Sequence, residues 1–144
     1  PLQAAPARSD GDIRKFEEIG THQVGYPLAI ADALVFHERL GPARKAARLR
    51  HLRDLWANHV SRHERVRLNT PLEPHLSNSL GNFRIEGIPA ADLYRHLLQK
   101  HRIVTTPIAH PDCEGIRVSP SVYSTIAEVQ RFCEAIDDAI AHGV

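Results

Sequence analysis

No methionine occurs anywhere in these 144 residues. A newly made chain begins with one, although it is removed ahead of a small residue or a proline such as Pro1, so the expectation is a processed protein or a piece of a longer one. Cysteine is nearly absent too, with only Cys113 and Cys133. Two thiols in a chain this size make no disulfide framework, and a reducing, cytoplasmic setting is the default. No apolar run approaches the roughly 20 residues of a membrane span, and the first residues do not read as an export leader. An export signal further upstream would not be visible. Charge of one sign is also lacking: a net +1 gives no overall pull toward nucleic acid or acidic lipid. Lysine is scarce, limited to Lys15, Lys45 and Lys100.

What is present suffices for a packed core, at 42% hydrophobic residues. The length suits one ordinary domain, or one small domain with a piece of another. Arginine concentrates between Gly41 and Arg67, at positions including Arg44, Arg48, Arg50, Arg53, Arg62 and Arg65. Acid concentrates near the end, at Glu128, Glu134, Asp137 and Asp138. A solvated helix face is the expected reason for the basic stretch, with a basic docking surface as the alternative.

The pattern predicts helix, helix, strand, strand, helix, strand, strand, helix. Residues 1–12 are rich in Pro, Ala, Ser and Asp and read as a linker or ragged end. Ile13 to Ile19 suggests a short strand, broken by Gly20-Thr21. Pro27 to Leu40 reads as a helix with Pro27 in its first turn and Gly41 as its stop. Pro42 to His63 reads as a longer helix, in which Leu49, Leu52, Trp56 and Val60 recur at helical spacing with arginines opposite. Arg65–Thr70, Leu80–Glu86, Arg102–Ile108 and Ile116–Pro120 read as strands. Pro89 to His101 is expected as a helix with Leu93, Leu97 and Leu98 inward. Thr125 to His142 is the last helix, and Thr125 with Glu128 fits a capping box. This order implies an α+β fold, a small and mostly antiparallel sheet packed by amphipathic helices.

Two stretches carry chemistry. One is Phe16-Glu17-Glu18-Ile19-Gly20-Thr21-His22-Gln23, a Gly-Thr turn opening a helix. The other runs from Gly115-Ile116-Arg117-Val118-Ser119-Pro120 through Tyr123-Ser124-Thr125 to Glu128. A hydroxyl and free N–H groups at a helix entrance suit a phosphate, since that end is electropositive. An arginine on a strand suits a carboxylate, though an ordinary arginine on a strand pairs with a surface acid.

In this order, about 95 residues apart, the two stretches resemble the C-terminal part of the class V aminotransferase family of fold-type I pyridoxal-phosphate enzymes, on its isopenicillin N epimerase-like branch. The resemblance covers nearly all of the chain from Ile13 onward. It implies that residues 13–41 end the large cofactor domain and 42–144 form the small C-terminal domain. It implies that Arg117, in Arg117-Val118-Ser119, binds the α-carboxylate of an amino-acid substrate. It also implies that Gly20 and Thr21 touch the cofactor phosphate of the other subunit in a homodimer. Transamination, epimerisation and β-elimination all stay open. His22, Gln23 and Tyr26 beside the turn receive no role.

The lysine that forms the Schiff base with pyridoxal phosphate belongs to the large N-terminal domain, and none of the three lysines here has its setting. No catalytic residue is therefore assigned within this segment, and the segment alone is expected to be inactive. Some family members are cysteine desulfurases with a reactive cysteine on a loop in this region. Here Cys113 stands only four residues before Arg117, on a short loop that lacks the Arg-Thr-Gly-His-His-Cys pattern, which argues against that chemistry. Cys133 is expected in the core. His59 and His63 stand four apart, the spacing of a shared metal ion, but no third ligand has a convincing spacing, so no metal site is assigned and solvent-exposed histidines are expected. The same helix lacks the interleaved aromatics of a nucleic-acid stripe. From another functional class, the alternative is a self-standing, non-catalytic α+β module for binding or dimerisation.

Overall fold

The computed structural model describes residues 11–16, 23 and 25–144. It divides into two units between Arg39 and Leu40. In the first, Ile13–Phe16 forms a single 3-10 turn where a strand was expected. A lone strand would leave its backbone groups unpaired, whereas a 3-10 turn bonds within itself. Helix α1 covers Gly25–Leu40. Pro27 fits its first turn because the N–H groups there have no helical acceptor. None of the described residues of α1 is buried.

The second unit carries the core. Gly41, at φ 80°, takes the positive φ that ends one helix and lets Pro42 open the next. Helix α2 spans Pro42–Val60, three residues short of the expected end. Its last carbonyls are taken up by a turn, in which the Ser61 hydroxyl donates to Ala57 O at 2.7 Å and His63 N–H donates to Val60 O at 3.1 Å. Then follow β1 (Val66–Leu68), β2 (Gly81–Ile85), α3 (Ala90–His101), β3 (Thr106–Ile108), β4 (Gly115–Val118) and α4 (Ile126–His142). The element order is the one the pattern predicts.

All four strands pair antiparallel in the order β1-β2-β4-β3. The third strand begins four residues later than expected. Arg102 adopts a left-handed conformation at the end of α3, its N–H donating to Leu98 O while Ile103 N–H donates to Leu97 O. That sharp cap uses the residues that a longer strand would need. Leu98, expected inward, is exposed, and Leu93 and Leu97 carry the helix's buried face.

One sheet face packs against the helices. Trp56 of α2, Phe83 of β2 and Phe132 of α4 meet with ring centroids 5.8–6.2 Å apart. Burying each such ring contributes roughly 1.5–3 kcal/mol, so this trio anchors the layer. Two glycines permit the close packing. A Cβ on Gly81 would lie 2.5 Å from the Trp56 ring, and one on Gly115 would lie 2.3 Å from the Phe83 carbonyl oxygen.

The basic face of α2 is not wholly solvated. Arg53 is only 1% exposed. Its guanidinium donates to Leu72 O at 2.7 Å, to Ser77 O at 2.8 Å and Oγ at 2.6 Å, and pairs with Asp54 at 2.7 Å. A buried charge is tolerated only when fully bonded in this way. Here it pins the long β1–β2 connection onto α2.

Candidate functional site

The sheet face away from the helices is polar, and Arg117 lies near its centre. In β4 the side chains alternate, so that Ile116 is buried while Arg117 points to solvent. Its cross-strand neighbours on the same face are Asn82 of β2 and Thr106 of β3. Arg117 Nη2 donates to Thr106 Oγ1 at 3.2 Å. Among the described residues no aspartate or glutamate pairs with it. The surface ion pair that would make this arginine ordinary is therefore not formed with any described acid.

The surrounding loop is fixed from below. Asn82 Nδ2 donates to Cys113 O at 3.0 Å, while Asn69 Nδ2 donates to both Asn82 Oδ1 and Glu114 O, at 2.8 and 2.9 Å. Cys113 sits in a 3-10 turn, Pro111–Cys113, with an exposed side chain and no disulfide. Cys133 is buried in α4, and burial, reinforced by the nearby Asp137 charge, pushes its thiol up to about 11.

The Tyr-Ser-Thr stretch after β4 is a built turn. Ser121 N–H donates to Ser124 Oγ at 3.1 Å, and Arg48 of α2 donates to Ser124 O at 2.9 Å. The capping box forms as predicted: Glu128 N–H donates to Thr125 Oγ1 at 3.2 Å, and Thr125 N–H donates to Glu128 Oε2 at 2.7 Å. The hydrogen bonds from Thr125, backbone first, hold the Glu128 carboxyl below the usual range. Tyr123 is largely exposed.

Of the other sequence-predicted residues, Gly20, Thr21 and His22 lie outside the described residues, so Arg117 is the one predicted site residue that the structure describes. Gln23 and Tyr26 are exposed, with Tyr26 N–H donating to Gln23 O at 3.3 Å. Sequence reasoning missed Arg84. It shares the open sheet face with Arg117, two positions along the neighbouring strand, and it too has no ion pair to a described residue. Its exposed place in the alternation of Phe83 and Ile85 was the available signal.

No family model matches the chain. Two curated proteins do. An isopenicillin N epimerase of Streptomyces clavuligerus is 31% identical over 126 residues, covering 87% of this chain and 32% of the relative. An isopenicillin N epimerase of Amycolatopsis lactamdurans is 32% identical over 127 residues, covering 88% of this chain and 32% of the relative. The chain thus spans about a third of the length of these relatives. Among solved structures, a cysteine desulfurase of Thermococcus onnurineus superposes with a TM-score of 0.75 at 21% identity, over 92% of this chain and 34% of that one. The cysteine desulfurase CsdA of Escherichia coli does so with a TM-score of 0.67 at 21% identity, over 85% of this chain and 32% of that one.

The fold, a four-stranded antiparallel sheet under helices, is the small α+β domain of cysteine desulfurase-like enzymes. The sequence relatives narrow this further: both are class V pyridoxal-phosphate enzymes, and the partial coverage fits a C-terminal segment of such an enzyme.

Proposed function

We propose that this chain is the C-terminal segment of a pyridoxal-phosphate enzyme that works at the α-carbon of an amino acid, as a homodimer in the cytoplasm. In this reading Arg117 holds the substrate α-carboxylate. The observation that carries it is a strand-fixed, solvent-facing guanidinium with a hydroxyl partner and no acidic partner among the described residues. Guanidinium and carboxylate join by two parallel charge-assisted hydrogen bonds. That clamp orients the bonds at the α-carbon, so binding also contributes to rate. Epimerisation is the outcome we favour, because both curated relatives are named epimerases.

Pyridoxal phosphate supplies an electron sink for negative charge at the α-carbon. Lys100 is committed to Asp138, with Nζ 2.6 Å from Oδ2, and no lysine of this chain is assigned as the cofactor's anchor. The task of this segment is to bind and orient substrate. Gly20 and Thr21 keep their proposed part, donating to the cofactor phosphate of the other subunit. Helix α1 supports residues 13–41 as the tail of a larger domain: Leu28, Ile30, Leu34 and Phe36 are each more than half exposed, an apolar surface that further protein ordinarily covers.

The test is α-proton exchange into heavy water, read by NMR on a panel of L-amino acids with the full-length enzyme. The wild type should exchange at least one of them. Arg117→Ala should slow that exchange at least about a hundredfold, at unchanged circular dichroism and cofactor absorbance. Undiminished exchange in Arg117→Ala would sink the assignment.

A further inference from the structure

Helices α2 and α4 pack against each other, and one end of the seam gathers three potential metal ligands. His59 lies in the last turn of α2 and His63 in the turn that follows. Both reach Asp137 of α4. His59 Nε2 is 3.0 Å from each carboxylate oxygen, and His63 Nε2 is 2.8 Å from Oδ1. The three donor atoms lie within 4.8 Å of one another. The side chains are 33%, 31% and 42% exposed, so an ion can enter from solvent without crossing the core.

We propose that His59, His63 and Asp137 form a binding site for a divalent ion of the zinc class, with water completing the tetrahedron. Two imidazoles and one carboxylate suit Zn2+, Co2+ or Ni2+, whereas Ca2+ and Mg2+ take oxygen ligands throughout. Zinc lies about 2.0–2.1 Å from nitrogen or oxygen, which places its ligands roughly 3.3 Å apart. The two His–Asp spacings, 3.0 and 2.8 Å, need to open by only a few tenths of an ångström. Each ring would offer Nε2 to the ion and keep its proton on Nδ1, remaining neutral. The Asp137 carboxylate supplies the negative charge that a cation needs, and both imidazoles already converge on it.

A second cluster shows by contrast what disqualifies a site. His96 and His101 both lie 3.1 Å from Asp138 Oδ2. Lys100 Nζ reaches the same oxygen at 2.6 Å, and His142 takes the other at 3.2 Å. A fixed ammonium already stands where the ion would go. Asp137 has no lysine or arginine bonded to it among the described residues, although Arg62 is near enough to act on the Cys133 thiol.

An ion here would join residues 74 or more positions apart and clip α2 to α4 above the Trp56–Phe132 contact. The unfolded chain does not gather these ligands, so binding would favour the folded state.

The experiment uses the purified, untagged protein, stripped of metal and titrated with Co2+ at pH 7.5. A saturable visible d–d band at one equivalent is expected, together with a rise in Tm on adding Zn2+. His63→Gln should weaken Co2+ binding by more than the roughly 10–100-fold that loss of an outer-shell partner costs. His101→Gln should leave binding unchanged. Circular dichroism checks folding, and Asp137→Asn, which keeps the shape and removes the charge, serves if His63→Gln unfolds. Absence of the band in the wild type overturns the proposal. Binding that survives His63→Gln or Asp137→Asn also overturns it, because the ion then sits on other histidines.

Discussion

Arg117 Nη2 donates to Thr106 Oγ1 at 3.2 Å, across the β4–β3 pair. Among the described residues the Thr106 side chain hydrogen-bonds only to Arg117, so its effect should pass through the guanidinium it steers. In the full-length enzyme, Thr106→Val should raise KM for the amino acid by about fivefold, the equivalent of one hydrogen bond of about 1 kcal/mol, with a smaller change in kcat. Steady-state kinetics in an Arg117→Ala background are the check. If Thr106→Val still adds its full effect there, Thr106 does not act through Arg117.

Arg53 satisfies the carbonyls of Leu72 and Ser77 from within the fold. Arg53→Leu should cost about 2–6 kcal/mol, since two acceptors lose their donor and each such loss costs about 1–3 kcal/mol. Arg53→Lys should recover only part of this, because one ammonium cannot copy the planar fork. Urea denaturation measures the cost. Limited proteolysis should cut between residues 71 and 79 sooner in both variants than in the wild type.

The Thr125–Glu128 box predicts a dependence on pH. The Glu128 carboxyl is held below its ordinary value by hydrogen bonds from Thr125. A depressed acid contributes stability above its unfolded pKa, about 4.3, and that contribution is lost as pH falls through the folded pKa. Glu128→Gln should therefore lower Tm at pH 7 and narrow its gap to the wild type below pH 4. A constant gap from pH 7 to pH 3 would mean the carboxylate contributes nothing through its charge. Thr125→Ala should cost about 1 kcal/mol, the usual value of an N-cap.

The two thiols should separate cleanly. Cys113 is exposed, while Cys133 is buried with its thiol pushed up to about 11. At pH 8 iodoacetamide should label Cys113 in the native protein and Cys133 only after denaturant is added, since the thiolate is the nucleophile. Mass spectrometry of the labelled peptides decides this, and comparable native rates at both sites would contradict the burial of Cys133.

Much of the fold was legible because periodicity encodes which face is buried. Leu52, Trp56 and Val60, and later Val129, Phe132, Cys133 and Ile136, recur at helical spacing, and all are buried. Proline, glycine and the Thr-x-x-Glu box marked helix ends. Ends without such marks went wrong. The left-handed Arg102 offers no glycine to read, and the turn after α2 depends on hydrogen bonds back to Ala57 and Val60.

By itself the sequence determined the element order and the α+β class, which rest on local spacing, while Arg117 as the candidate carboxylate binder came from the family resemblance of its motif. Only the tertiary structure decided what each charged side chain faces. It buried Arg53 against the Leu72–Ser77 connection, left Arg117 with a hydroxyl and Arg84 with no ion pair among the described residues, and brought Asp137 to His59 and His63. The physical reason is distance along the chain. Coulomb and hydrogen-bond partners are chosen within a few ångströms in space, and residues 74 positions apart meet only after the sheet and helices have packed.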